Sequence, residues 1–413
     1  MTTAQPTPQE ALAFNPFDPA FRADPYPTYR RLRHESPVHQ SPFGLVLSRY
    51  ADCAALLRDP RVSSDQNNAD LALVMLAAQG AEPEQAVPNV TPFLFMDPPD
   101  HTRLRGLVNK AFTPRVVDRL RVRVQEIVDQ LIDDVADRGE LEVIEDLAYP
   151  LPVRVICDLL GVPPEDHPTF KDWSHDVARG LDPDFILPPE FIQRRQRVFD
   201  ELGEYFRSLI AKRRAEPRED LISALIAAEE QGQVLSEDEL VTTCGLLLIA
   251  GHETTVNLIA NGTLALLRNP DQLQRLRDDP TLIRTAVEEV LRYDPAVQMT
   301  ARVAREDIDI GGVTFRKGQL AILLLAAANR DESQFSDGET FDVGREDNRH
   351  LAFGMGIHFC VGAPLARVEG QIALDAVVRR LKNPELLVER PVYKENLILR
   401  GLEALPVRFA AVL

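Results

Sequence analysis

Apolar residues recur every three or four positions through the middle of the chain, between residues 100 and 300. One such series comprises Leu120, Val124, Ile127, Leu131 and Val135. This spacing predicts amphipathic helices, each with one face turned toward a core. We therefore expect helices to dominate this part of the protein.

Short apolar runs with strand-like composition lie on either side of this helical region. Near the start, residues 43–47 could pair with residues 37–39. Later runs cover residues 308–310, 313–315, 320–325, 397–399 and 407–409. They are too few for a doubly wound sheet. The pattern predicts a mainly α fold with small β-sheets.

The chain shows no internal repeat, low-complexity linker or long block of charge. We therefore predict one domain over residues 14–413, preceded by a flexible tail of residues 1–13.

The longest predicted helix begins with Ser236 and Glu239, which match a capping box, and continues to Leu267. Its apolar middle contains the sequence AGHETT, residues 250–255. Charges and hydroxyls are costly to bury without partners, so this segment is a candidate site. The polar residues could instead be ordinary helix-packing groups.

In this segment, Ala250 and Gly251 remove side-chain bulk and would admit a substrate and a small ligand. Glu253 and Thr254 could then convey protons to it. A zinc-protease motif, H-E-x-x-H, fails because Val256 stands where the second histidine is required.

Composition and charge restrict the partners. The 413 residues are 45% hydrophobic, and 46 basic against 64 acidic residues give a net charge of −18. This charge disfavours nucleic acid and anionic membranes as partners.

The most apolar run, residues 244–251, is far shorter than the ~20 residues of a membrane span. Four scattered cysteines suggest no disulfide framework, and we expect a cytoplasmic protein.

The most specific stretch is FGMGIHFCVG, residues 353–362. Its glycines allow a flat ligand to lie close to the backbone, facing Cys360. A helical pattern follows, with Pro364 suited to the first turn, and a helix N-terminus favours a thiolate. Two alternatives are a buried structural cysteine and a zinc site, although His358 and Cys360 supply only two of the four ligands that structural zinc needs.

The pattern F-x-x-G-x-H-x-C-x-G is similar to the haem-binding signature of the cytochrome P450 family. The resemblance implies that Cys360 is the proximal iron ligand and that its electron donation assists oxygen activation. It also implies that Phe353 packs beside the sulfur, that His358 binds a haem propionate, and that Gly356 and Gly362 belong to the cofactor loop.

Other motifs extend the resemblance. The family's A-G-x-[DE]-T segment matches residues 250–254, which implies proton delivery by Glu253 and Thr254. An E-x-x-R pair, Glu289 and Arg292, with Arg345 from an F-D-x-x-R segment, implies a structural ion-pair cluster.

Three further residues, His101, Arg105 and Arg302, match propionate-binding positions of the family. His101 and Arg105 are four residues apart and so share one helix face. The alternative for all three is solvation at the surface.

The resemblance implies the cytochrome P450 fold, a single α-rich triangular domain, holding haem b with an axial thiolate. The implied reaction is hydroxylation or epoxidation by O2 of a hydrophobic small molecule: a macrolide or polyketide, a terpenoid or a fatty-acid-like compound of secondary metabolism. Electrons would come from NAD(P)H through a ferredoxin reductase and an iron–sulfur ferredoxin, and we expect a monomer. Alternatives are a peroxide-using or isomerising haem enzyme, and a haem sensor or carrier without turnover.

A local excess of positive charge suggests where the ferredoxin would dock. Between residues 100 and 123 the sequence contains seven basic residues and only two acidic ones. The basic residues are Arg103, Arg105, Lys110, Arg115, Arg119, Arg121 and Arg123. Such a patch on an acidic protein would steer an acidic partner.

Substrate choice should depend on the weakly patterned residues 62–95, 180–191, 295–299 and 399–402. The candidate pocket residues are Phe95, Leu247, Ala250, Val297, Met299 and Leu402.

Overall fold

The computed structural model describes residues 14–70, 91–177, 179, 181–182, 187–230 and 235–413, without the side chains of residues 111, 114, 175, 176 and 228–230. The predicted tail, residues 1–13, and parts of the predicted substrate segments lie outside the described residues. The α-helices are α1 (Pro19–Ala23), α2 (Tyr26–Glu35), α3 (Tyr50–Leu56), α4 (Asp100–Ala111), α5 (Pro114–Asp133), α6 (Pro150–Leu160), α7 (His167–Val177), α8 (Pro189–Ala215), α9 (Leu221–Glu230), α10 (Glu237–Arg268), α11 (Pro270–Asp278), α12 (Ile283–Tyr293), α13 (Leu325–Ala328) and α14 (Ala363–Arg380).

Shorter helical segments connect these helices. A π-helix covers Val143–Ala148. The 3-10 helices are Gln66–Asn68, Phe93–Phe95, Pro164–Asp166, Pro280–Leu282 and Gly356–His358.

The strands are short and form small sheets. They are β1 (Val38–Ser41), β2 (Gly44–Leu47), β3 (Val62–Ser63), β4 (Glu140–Glu142), β5 (Thr300–Ala304), β6 (Ile308–Ile310), β7 (Val313–Phe315), β8 (Leu320–Leu323), β9 (Leu381–Lys382), β10 (Glu385–Leu386), β11 (Pro406–Arg408) and β12 (Ala411–Val412). Within the described chain the largest sheet has five strands in the order β1-β2-β8-β5-β3, and only β2 and β8 pair in parallel. The prediction of a mainly α fold with small sheets is confirmed.

The expected hairpin near the start is present, with Val38 opposite Leu47. The predicted strand at residues 397–399 is wrong, because only an isolated bridge joins Leu399 to Val297. The N–H groups of Leu397 and Ile398 donate instead to the carboxylate of Asp182, so they are not available for hydrogen bonds to a neighbouring strand.

Helix α10 positions the site. The Ser236 capping box is present, and the 32 residues of the helix extend about 48 Å. The helix packs against α6, α8 and α14. At Gly370 of α14 a Cβ atom would lie 3.0 Å from Leu258 of α10, so the glycine allows a close approach. Cys360, just before α14, is thereby brought to the middle of α10. Among the described helices, none is both long and apolar enough to span a bilayer.

Candidate active site

The Cys360 loop is shaped by two glycines and one backbone bond. Gly354 and Gly356 have φ angles of +67° and +73°, a region that side chains rarely adopt. The Cys360 N–H donates to the Phe353 carbonyl at 2.9 Å, which closes the loop. The sulfur thus lies beside the first turn of α14.

Burial raises the pKa of the Cys360 thiol, although N–H groups of Gly362 and Ala363 and the charge of Arg105 act in the opposite direction. The N–H groups at the start of α14 therefore act in favour of the thiolate, whereas burial acts against it. The positive charge of a bound metal would supply the missing stabilisation.

Cys360 opens into a cavity of about 830 Å³, a size typical of ligand sites. The opposite wall is α10, which contributes Leu247, Ala250, Gly251 and Thr254. The two most specific sequence segments therefore face each other across one space.

Cationic and imidazole side chains gather at one end of the cavity. The rings of His101 and His358 are 4.1 Å apart between centroids, and Arg105 donates to the Phe359 carbonyl. Burial lowers the pKa of Arg302 to about 10. Burial, with neighbouring His101 and arginines, lowers the pKa of His358 to about 3.

Neither ring nitrogen of the buried His101 has a hydrogen-bond partner among the described residues. Buried donors without acceptors are costly, so the group is incomplete without an anionic ligand. A flat dianionic cofactor whose metal reaches Cys360 fits this combination of cavity, thiol and unpaired donors.

The family model for cytochrome P450 matches residues 80–398. The chain belongs to the cytochrome P450 family. Cytochrome P450 107B1 of Saccharopolyspora erythraea is 42% identical, covering 95% of this chain and 96% of that protein. Polyketide biosynthesis cytochrome P450 PksS of Bacillus subtilis is 39% identical, covering 96% and 99%. The crystal structure of CalO2 superimposes with a TM-score of 0.89 at 34% identity, covering 97% and 100%.

This cytochrome P450 is a haem-thiolate monooxygenase that uses O2. Membership of this enzyme class disfavours the alternative of a haem sensor or carrier without turnover. It equally disfavours the readings of Cys360 as a purely structural residue or a zinc ligand.

The acid and the alcohol of α10 point in different directions. Thr254 lines the cavity, and its hydroxyl donates to the Ala250 carbonyl at 2.7 Å. Glu253 is only 2% exposed and is not among the cavity-lining residues; its carboxylate pairs with Lys394 at 2.6 Å. The sequence analysis missed Lys394, because it lies 141 positions away and belongs to no motif.

The structure brings Glu289, Arg292 and Arg345 into one buried cluster. Arg292 donates two 2.8 Å bonds to the Glu289 carboxylate, and Arg345 donates a third at 3.1 Å. The Asp342 N–H and the Asn348 amide complete the shell, at 2.8 and 3.1 Å. Glu289 and Arg292 are both 0% exposed. The cluster joins α12 to the segment that leads into the Cys360 loop.

Most of the predicted pocket residues line the cavity: Phe95, Leu247, Ala250, Val297 and Met299. Among the predicted cofactor residues, Arg105, Gly251, Arg302, Phe353, His358, Cys360 and Gly362 also line it. Residues that sequence reasoning missed include Phe14, Phe17, Leu181, Leu397 and Ile398.

Three of the predicted cofactor and pocket residues do not line the cavity: His101, Gly356 and Leu402. Leu402 was predicted to line the cavity. It is instead fully buried in the main core and forms an isolated β-bridge with Tyr393. Gly356 faces α3 rather than the cavity, because a Cβ atom there would lie 2.5 Å from the Leu57 carbonyl oxygen. Glycine is needed at position 356 because a side chain there would collide with the Leu57 carbonyl group.

Glu369 of α14 is a carboxyl group that sequence reasoning did not single out. It lines the cavity, is 3% exposed, and burial raises its pKa to about 8. The sequence contained a signal for this residue, because an acidic side chain interrupts the apolar positions of α14. Burial on the cavity wall thus favours its neutral form.

The basic segment is less positive than its composition indicates. Arg103, Arg119 and Arg123 pair with Glu239, Glu219 and Asp158, all from outside the segment. Arg105 is occupied with the Cys360 loop. Arg115 and Arg121 remain as exposed charges on α5.

Proposed function

We propose that this cytochrome P450 hydroxylates or epoxidises a hydrophobic small molecule: a macrolide or polyketide, a terpenoid or a fatty-acid-like compound. The observation that carries this proposal is the apolar cavity wall next to Cys360, formed by side chains such as Phe95, Leu247, Val297 and Met299. Burial of apolar substrate surface against these side chains would provide the binding energy. The relative PksS is named as a polyketide biosynthesis cytochrome P450, which agrees with the first of these classes.

In this proposal Cys360 would ligate the haem iron, and His101, Arg105, Arg302 and His358 would hold the propionates. The haem supplies the chemistry of O2 activation, whereas the protein supplies orientation, exclusion of water and protons. Ala250 and Gly251 on the α10 wall would leave space for O2 and substrate, because neither carries a large side chain.

Thr254 lines the cavity, and Glu253, the preceding residue of α10, is buried outside it. Lys394 is 22% exposed and pairs with Glu253, so the pair connects the buried acid with the surface. Protons for the reaction pass through Glu253 and Thr254, each of which can accept and donate a proton.

Electrons reach the haem from an iron–sulfur ferredoxin with its NAD(P)H-dependent reductase. Ile357 and Phe359 lie just before Cys360 and are 57% and 42% exposed, an unusual exposure for large apolar side chains. We include them, with the exposed Arg115 and Arg121 of α5, among the residues that contact an acidic partner.

Spectral titration tests the substrate class. Purified holoenzyme is titrated with a macrolide aglycone, a monoterpene and a long-chain fatty acid, while the absorption change that accompanies loss of water from the iron is recorded. At least one compound should give a saturating change and an oxygenated product on turnover. Lack of any change with all three classes would contradict the proposal.

A cavity variant provides the matched control. Ala250→Leu should weaken binding about tenfold, because the larger side chain fills part of the cavity. The same substitution at the exposed Ala55 of α3 should leave binding unchanged. The reduced carbon monoxide spectrum verifies haem-thiolate loading in each variant.

A further inference from the structure

A buried carboxylate joins two distant segments of the cavity wall. Asp182, just after α7, is 4% exposed. Its oxygens accept the Leu397 N–H at 3.1 Å and the Ile398 N–H at 3.0 Å. The nearest cation that pairs with it, Arg179, is 3.9 Å away through Nε. Backbone amides are therefore the main compensation for burying this group.

The residues that Asp182 joins are cavity-lining residues, although Asp182 is not. Leu181 precedes it, and the side chains of Leu181, Leu397 and Ile398 all line the cavity. The hydrogen bonds of Asp182 thus connect the segment after α7 with residues near the C-terminus, 215 positions away.

The other side of the same segment is fixed to the strand-like residues before β5. The Gln298 N–H donates to the Ile398 carbonyl at 2.9 Å, and the Arg400 N–H donates to the Ala296 carbonyl at 2.7 Å. Residues 397–400 are therefore held on one side by residues 296–298. On the other side they are held by Asp182.

We propose that Asp182 is a positioning residue that closes this wall of the substrate cavity and limits how fast ligands enter and leave. It sets the separation of Leu181 from Leu397 and Ile398 through its hydrogen bonds. Without it, the two segments can separate while residues 397–400 stay attached to residues 296–298. The inference rests on the proposed function in that the cavity is the substrate site.

The experiment compares wild type with Asp182→Ala and Asp182→Asn. Hydrogen exchange of the Leu397 and Ile398 amides is followed by mass spectrometry, and binding of econazole, whose imidazole binds haem iron, is followed by stopped-flow absorption. Asp172→Ala, an exposed aspartate of α7, is the matched control.

In Asp182→Ala we expect the two amides to exchange about tenfold faster, the effect of losing roughly one hydrogen bond. Association and dissociation of econazole should both become several-fold faster, with little change in Kd. Asp182→Asn keeps an acceptor oxygen and should remain close to wild type. Asp172→Ala should match wild type in both measurements.

Unchanged exchange in Asp182→Ala would overturn the inference, and so would faster exchange without faster econazole binding. Asparagine behaving like alanine would also contradict the hydrogen-bonding role. The exchange measurement needs no haem, and the reduced carbon monoxide spectrum of wild type tests the haem site separately. Failure of the proposed function is thereby distinguished from failure of this inference.

Discussion

Glu253 is an acidic side chain placed in the middle of a buried helix. Only Lys394 pairs with it among the described residues, and its Oε2 atom has no hydrogen-bond partner there. An incompletely bonded buried carboxylate is costly to stability and is typical of a functional group. In our proposal the protein retains this costly carboxyl group because it delivers protons next to Thr254.

Replacing Lys394 by methionine should destabilise the protein, because Glu253 would be left buried without its cation. The expected loss is about 1–3 kcal/mol in the free energy of unfolding, measured by urea denaturation. In a double-mutant cycle with Glu253→Gln, the combined loss should be smaller than the sum of the single losses.

Lys394→Arg keeps the charge and should retain most of the stability. Lys382→Met, at an exposed lysine, is the control. Strict additivity of the two single losses would show that the pair contributes nothing.

At the scale of elements, the Glu289 cluster joins helix α12 to the segment before the Cys360 loop. Arg292 also donates to the carbonyls of Asn329, Gly338 and Thr340, so one guanidinium organises several irregular turns. The cluster therefore determines where the haem loop lies relative to α12.

Glu289→Ala should cost about 3–5 kcal/mol, because it leaves Arg292 buried without its counter-charge. The loss should reduce haem retention as well as stability. Haem content is measured from the reduced carbon monoxide spectrum per mole of purified protein.

Glu289→Gln should be intermediate, and Glu346→Ala, at an exposed neighbour, should match wild type. Full haem content and normal expression of Glu289→Ala would refute a structural role for the cluster.

The whole molecule has a net charge of −18, but α5 carries a local group of basic residues. Several arginines of that region are paired internally, so steering of an acidic partner depends on few exposed charges, among them Arg115 and Arg121. Their effect should extend over about a Debye length, ~8 Å at physiological salt.

Reduction of this P450 by an acidic ferredoxin should slow as salt is added. Arg115→Glu and Arg121→Glu should each slow it several-fold at low salt, because they reverse a charge of the docking surface. Stopped-flow reduction under carbon monoxide provides the rate.

Arg197→Glu, at an exposed arginine of α8, should leave that rate unchanged. Reduction that is independent of salt would contradict docking through these charges. The expected monomeric state and cytoplasmic location stay predictions.

The sequence by itself determined the features that depend on near neighbours in the chain. These are the helical periodicity, the capping box at Ser236, the hairpin of β1 and β2, and the glycine loop around Cys360. Spacings of three to ten residues decide such features, because local geometry alone brings the groups together.

Only the tertiary structure decided which distant groups meet. Lys394 pairs with Glu253 across 141 positions, and Asp182 binds the Leu397 amide across 215. Leu402 lies in the core instead of the cavity for the same reason. Contacts at such separations follow from how whole helices and turns pack, and no short pattern of residues specifies that packing.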